Sequence, residues 1–499
     1  MARFDVVLIG SGISVLTCAA ILSKKGKSVC VLERYVKPGG YLHGFRRFGH
    51  HFDTGAHYMG AMKKNQPFRQ LLEFVGVFEE ELFVPLDENA FDVLYFPKMT
   101  VELPQGYAAF ADRLKGLFPA EGQAIDAFLT HLQNSSGLFQ TYKFQDHVDQ
   151  DKLMFYINTP LAKIVEPLTQ NEDLKVILYS HCLLHGVRPE DVPFGMHSIM
   201  MDSFITGAFG LAKGGDALAQ KFVKVIEAQG GRVLLKKGVV KIHNEGPWVK
   251  ALECADGERI EGDIFVSGVH PKKTFELLSD DTALKPVFKS RLSSLRESTA
   301  SFGVYAEVSG PARLHPRRNH FFFDRDGIEG LFDVPAEPSR PRAVFANSAE
   351  RLADEKSQNQ GVKLLAAGPY AWFSKWENTK VGHRGVEYED FKKSYSSQLW
   401  SVVDKYCPGM QENVSHELTS SPLSNMFFNG SPEGSGYGIY HSISVTGPRA
   451  LGPRTHLRNL LITGQSTLFP GFLGAATAGI RAAGNIGAKN SSKEIQKIT

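Results

Sequence analysis

Cysteine is scarce and unpaired in this chain. Its 499 residues include five, Cys18, Cys30, Cys182, Cys254 and Cys407, scattered and never in a CxxC pair. An odd, dispersed set excludes a disulfide framework and a zinc ribbon, and it fits a reducing compartment. Long apolar runs are also missing. Nowhere do 18 apolar residues follow one another, so no membrane-spanning helix is expected. Nor is there an excess of one charge. The 56 basic and 53 acidic residues leave a net charge of +3, too even for a protein whose main partner is nucleic acid. No internal repeat or low-complexity tract is present. What remains is ordinary globular composition, 42% hydrophobic and 22% charged, in a chain long enough for two or more lobes.

Phenylalanine is abundant, 35 residues against 15 Tyr and 4 Trp. A Phe-rich core accounts for that. So does a core that also lines a long apolar pocket. The apolar run Val6 to Leu22 follows Asp5 and is broken by Gly10 and Gly12, which suits strand, turn and helix rather than a signal peptide. The predicted elements are a strand Phe4 to Ile9, a helix to Lys25 ended by Gly26, and a strand Ser28 to Leu32. A second α/β piece opens at Lys213-Gly214-Gly215-Asp216, with a helix to about Ala228. Strands follow near Arg232 to Leu235, Val239 to Ile242, Val249 to Cys254 and Ile264 to Ser267. A third has the strand Leu460 to Thr463 and a small-residue helix from about Gly474 to Gly484. The intervening segments are richer in aromatics and read as irregular. The economical arrangement is α/β plus α+β: a discontinuous Rossmann-like nucleotide domain (1–74, 206–280 and 446–499) with an inserted second domain (75–205 and 281–445).

Gly10-Ser11-Gly12-Ile13-Ser14-Val15 sits where a dinucleotide fingerprint belongs. Gly10 permits the turn, and Gly12 lets a diphosphate approach a helix N-terminus. Val15 stands where Gly or Ala is usual. Glu33 ends the second strand at the spacing of a ribose-binding carboxylate. Beyond it come Pro38-Gly39-Gly40 and the segment Gly49 to Gly60, GHHFDTGAHYMG. With Asn459 to Gly484, NLLITGQSTLFPGFLGAATAGIRAAG, these motifs resemble the FAD-dependent amine oxidase superfamily. Within it the chain is similar to phytoene desaturases, carotenoid isomerases and, most of all, retinol saturases. The resemblance runs through nearly the whole chain. It implies FAD as cofactor. Gly10, Gly12 and Ser14 would lie at the pyrophosphate, and Glu33 and Arg34 at the adenosine. Gly39 and Gly40 would follow the ribityl and flavin side, and Val239 would meet adenine. Gly464 and Gln465 would meet phosphate and ribityl, and the backbone of Phe472, Leu473, Gly474 and Ala475 would face the flavin. Gly214-Gly215 is similar to the family's second FAD-contacting segment.

His57, next to the FDTG turn, is the first candidate acid or base, with Tyr58 and Tyr437 behind it. A backbone-bonded structural histidine and core-packed tyrosines are the plain alternatives. No Cys/His constellation suggests a metal. The expected function is FAD-dependent oxidation, reduction or isomerisation at carbon–carbon double bonds of a hydrophobic polyene or isoprenoid. Two alternatives stay open: a flavin amine oxidase, and a non-catalytic isoprenoid-binding protein of the dissociation-inhibitor type. The expected location is cytoplasmic or peripheral on a membrane, where Arg313, Arg317 and Arg318 beside Phe321-Phe322-Phe323 could dock. No second fingerprint with a strand–helix frame is present, so direct reduction by NADH or NADPH is not expected.

Overall fold

A computed structural model describes residues 3–55, 57–139, 148–333, 335–352, 357–487 and 491–496. In the strand Arg3–Ile9, Val6 to Ile9 are buried on both faces, as a central parallel strand requires. It pairs in parallel with Arg259–Ser267 on one side and Val29–Leu32 on the other. Arg232–Leu234 continues the sheet beyond Val29–Leu32. Beyond Arg259–Ser267 lie Trp248–Cys254 and Val239–Glu245, both antiparallel. Leu460–Ile462 joins the far half of Arg259–Ser267 in parallel. Strands from three distant stretches of sequence thus form one seven-stranded sheet. The helices Ile13–Lys24, Gly214–Ala228 and Gly471–Asn485 pack together beside it.

The stretches between are not irregular. Asp92–Tyr95, Thr100–Leu103, Ser301–Ser309, Asn319–Phe323, Ala343–Ser348, Asn359–Ala367 and Val414–Ser420 make a second seven-stranded sheet, mostly antiparallel. Their aromatic content follows from alternation. Phe302, Val304, Phe322, Val344, Val362 and Leu364 face one way, in a core with the helix Val386–Asp404. Phe321 and Phe345 face the other way, toward the first sheet's helices. The phenylalanines beside the candidate docking arginines are interior, with Phe321, Phe322 and Phe323 each at most 1% exposed. Arg318 beside them pairs with Asp87 and Glu102.

The fingerprint's odd residue has a physical explanation. Helix Ile13–Lys24 must lie close to the sheet, and Val15 takes the space that Gly or Ala would leave open. The small residue is across the interface instead: a Cβ on Gly268 would sit 2.2 Å from Val15 Cγ2. The C-terminal helix crosses the same helix at backbone contact, since a Cβ on Gly479 would lie 2.2 Å from Ser14 O. That close crossing is why Gly471–Asn485 is built of glycine and alanine. Among the described residues no helix is long and apolar enough to cross a membrane.

Candidate functional site

A cavity of about 1050 Å³ runs from the end of Arg3–Ile9 to the inner face of the second sheet. Gly10, Gly12, Ser14, Glu33, Arg34, Gly39, Gly40, Val239, Gly464, Gln465, Phe472 and Ala475 all line it, as do His57 and Tyr437. Gathering residues 10 and 464 at one opening is a property of the parallel strands, whose carboxyl ends meet there, and Val239 joins them from the start of an antiparallel strand.

The nucleotide end is pre-formed. Helix Ile13–Lys24 has Gly12 as N-cap and no capping side chain, so its first-turn N–H groups are left for a ligand. A Cβ at Gly12 would meet nothing within 4 Å, so the approach to these amides is open. Gly39, at φ +127, is pressed between Leu42 and Ala219, a place only glycine fits without strain. Ser11, which pattern reading passes over as a spacer, holds this end together. Its buried hydroxyl donates to Glu33 Oε2 at 2.5 Å and accepts from Gly39 N at 2.9 Å. Glu33 Oε1 accepts from Tyr35 N at 2.8 Å. Each carboxylate oxygen keeps a lone pair for one further donor, which suits a vicinal diol. Free amides, an approach without Cβ and a fixed, half-satisfied carboxylate fit the adenosine diphosphate portion of FAD. At the other end, helix Gly471–Asn485 also starts without a side-chain cap, and Gly471, Phe472 and Ala475 border the cavity. Its N-terminal partial charge favours an anionic ring system.

Leu473 and Gly474 are not in the lining; Gly474 is wedged against Phe469. Gln465 borders the cavity, but its amide donates to Gly436 O at 3.3 Å. Gly214 and Gly215 brace the cradle from behind, with Gly215 N donating to Asp53 Oδ1 at 2.8 Å. Tyr58 is a correction. Its hydroxyl donates to Asp92 Oδ2 at 3.0 Å, deep inside the protein and outside the cavity wall. Burial, then the Asp92 charge, drives the phenol well above its usual range. Asp92 also meets His181 Nε2 at 2.8 Å and accepts from Asn319 Nδ2. Asn319 is bound in turn by Arg351, which donates to His57 O at 2.9 Å. Tyr58 therefore belongs to a buried network that fixes the backbone at His57.

His57 is half-buried at the cavity edge, its ring 5.2 Å from that of Phe345. Its Nδ1 lies 2.6 Å from Nζ of Lys363, which also donates to Asp53 O at 3.1 Å. Burial first, then the Lys363 and Arg351 charges, hold the imidazole well below its ordinary range, so it is neutral at physiological pH. Burial likewise lowers Lys363 to about 7. Sequence reading missed Lys363, although a lone lysine in the apolar strand Val362-Lys363-Leu364-Leu365 was a visible signal. Tyr437 borders the cavity, and burial raises its phenol. Beyond His57 the wall turns apolar, with Phe321, Leu331, Phe332, Ala343, Phe345 and Leu365.

The fold also brings together a Cys/His cluster that the sequence did not suggest. Ligand atoms of Cys182, His185 and His197 lie within 4.8 Å of one another. The two histidines are bonded to each other: Val187 N donates to His185 Nδ1, leaving His185 Nε2–H for His197 Nδ1 at 3.3 Å.

The chain is similar to known proteins along nearly its whole length. The all-trans-retinol 13,14-reductase of Danio rerio is 25% identical over 95% of this chain and 84% of its own length. The Homo sapiens enzyme of that name is 28% identical over 99% and 87%. Cyclohexylamine oxidase from Brevibacterium oxydans shares the fold, with a TM-score of 0.64, 13% identity and 99% of each chain covered. The family model for flavin containing amine oxidoreductases matches residues 13–487. The chain belongs to that family and is an FAD-dependent oxidoreductase.

Proposed function

We propose that this enzyme transfers hydrogen at a carbon–carbon double bond of a long, apolar polyene, with saturation the favoured direction. One observation carries the reading: the cradle opens directly onto a wall of Phe321, Phe345 and Leu365 with the neutral imidazole of His57 at the junction. Two relatives named as retinol 13,14-reductases support the substrate class and the direction. FAD, when bound, supplies or accepts a hydride at such a junction. The chain does the rest. Residues 1–74, 206–280 and 446–499 hold the cofactor, through Gly10, Gly12 and Ser14 at the diphosphate and Glu33 at the ribose. Residues 75–205 and 281–445 supply the wall that orients the substrate and excludes water. His57 handles the proton.

The amine reading is weaker. Asp333, an acidic group at the apolar end, is already paired with Arg188 at 2.7 Å, leaving less to hold an ammonium. A flavin-free lipid carrier would have no use for the Ser11–Glu33–Gly39 clamp. An apolar polyene resides in lipid, so we infer that substrate is loaded from a membrane surface; co-sedimentation with phosphatidylcholine vesicles tests that inference. The function itself is tested by purifying the protein, recording its visible spectrum and analysing co-purifying lipids by mass spectrometry. The expected result is a yellow protein carrying isoprenoid or polyene lipids. A colourless protein, or a flavoprotein bleached by simple amines and indifferent to polyenes, would overturn it.

A further inference from the structure

We propose that Lys363 is the proton source behind His57, the two side chains forming a relay that leads from the protein interior to the substrate carbon. The proposal rests on the double-bond reading above and names the groups that complete it. Lys363 is 2% exposed, and among the described residues no carboxylate pairs with it. Interior lysines are normally paired, because an isolated charge there is costly. The nearest carboxylate, Asp53, is engaged with Gly215 N and lies 3.5 Å from His51 Nε2. Strand alternation puts Lys363 on the same face of Asn359–Ala367 as Leu365, which lines the cavity.

The geometry fixes the tautomer. As an ammonium, Lys363 Nζ has only protons to offer, so in that form His57 Nδ1, at 2.6 Å, accepts. The single imidazole proton then sits on Nε2. That nitrogen makes no hydrogen bond among the described residues and belongs to a ring that borders the cavity. Adding hydrogen to a double bond needs a hydride, here from reduced flavin, and a proton. The His57 Nε2–H bond breaks and leaves its electron pair on nitrogen. The new C–H bond uses the pair on the carbon made electron-rich by hydride addition. One Lys363 N–H breaks as Nδ1–H forms. The ammonium becomes an amine, the imidazole stays neutral in its other tautomer, and solvent restores both. Removal of hydrogen runs the same steps backward.

The groups facing Lys363 are His57, Asp53, Arg351 and its strand partner Tyr305. Burial and the Arg351 charge bring Lys363 to about 7, while Asp53 opposes them. In the saturating direction the ammonium is the donor, so the rate is full below about 7 and falls above it. In the desaturating direction the limb reverses.

The test uses FAD-loaded protein with all-trans-retinol as probe, and ¹⁵N-histidine-labelled protein. Lys363→Gln keeps a donor to His57 Nδ1, and Lys363→Arg keeps the charge without titrating near neutrality. Both should retain FAD, slow polyene turnover by about 10²-fold or more, and lose the limb near pH 7. In wild type the ¹⁵N signal that disappears in His57→Gln should report a neutral Nε2–H imidazole, and Lys363→Met should release that tautomer. Turnover within twofold of wild type with the limb intact overturns the relay. So does a wild-type His57 that is charged or Nδ1-protonated at pH 6, where Lys363 is an ammonium, whatever happens to the variants. Wild-type protein inert toward polyenes removes the functional reading and the relay together, whereas active wild type with equally active variants removes the relay alone.

Discussion

Replacing Ser11 by alanine should weaken the cofactor site although Ser11 is neither a fingerprint glycine nor the ribose carboxylate. Its hydroxyl makes two buried bonds, to Glu33 Oε2 and from Gly39 N. The first is charge-assisted and is worth about 1.5–3 kcal/mol; the second, neutral, is worth about 0.5–1.5 kcal/mol. Alanine removes both and leaves the Gly39 N–H without a partner. The total, about 2–4.5 kcal/mol, divides between fold and cofactor. Glu33 keeps only its bond from Tyr35 N, so its carboxylate is no longer held toward the cavity. If a third to a half of the loss falls on binding, FAD affinity drops about tenfold. The assay is titration of FAD into deflavinated protein, followed by flavin fluorescence, with a thermal melt on the same samples. Ser11 and Glu33 touch, so their losses should not add. In a double-mutant cycle, Ser11→Ala should cost markedly less on a Glu33→Gln background. FAD affinity within twofold of wild type, an unchanged melt, and additive losses would refute the clamp.

Three further outcomes follow from the same geometry. Gly268→Ala places a methyl 2.2 Å from Val15 and should destabilise by about 1–3 kcal/mol, while adding Val15→Ala should restore most of the loss in a urea titration; independent effects would contradict the packing account. Lys363 falls from its ordinary 10.5 to about 7 on folding. At about 1.36 kcal/mol per decade the ceiling of its cost is about 5 kcal/mol. The unfolded chain holds the proton between those values and the folded protein does not, so stability climbs with pH from about 7 to 10.5, and the full penalty applies below 7. The melting temperature of Lys363→Met relative to wild type should therefore be higher at pH 6 than at pH 10; an equal difference at both would count against a depressed lysine. Finally, excess NADPH mixed anaerobically with the FAD-loaded enzyme should not bleach the flavin band within seconds, and bleaching would mean a nicotinamide site built without a fingerprint.

The nucleotide half was readable because its signals are local. The strand, the glycines and Glu33 lie within one βαβ unit, and strand ends in a parallel sheet converge whatever their distance in sequence. The junction half was less legible. His57 was visible from its place after the FDTG turn, but Lys363, 306 residues away, meets it only because Asn359–Ala367 takes an interior place in the second sheet. Tyr58 misled for the same reason: its neighbour in sequence faces the cavity, while its own hydroxyl turns inward to Asp92. Val15 looked like a defect in the fingerprint until Gly268 appeared opposite it. The segments read as irregular concealed a seven-stranded sheet, because strands buried on both faces, such as Asn319–Phe323, show no alternation to detect.

The central claim is that one cavity holds FAD against an apolar double-bond substrate. The most direct measurement is anaerobic stopped-flow mixing of the photoreduced, FAD-loaded enzyme with all-trans-retinol, recording flavin and polyene bands together. The oxidised flavin band should return as the polyene band is lost, in equal molar amounts. A flavin that stays reduced while the polyene spectrum is unchanged, in an enzyme whose oxidised form is bleached by a primary amine, would contradict it.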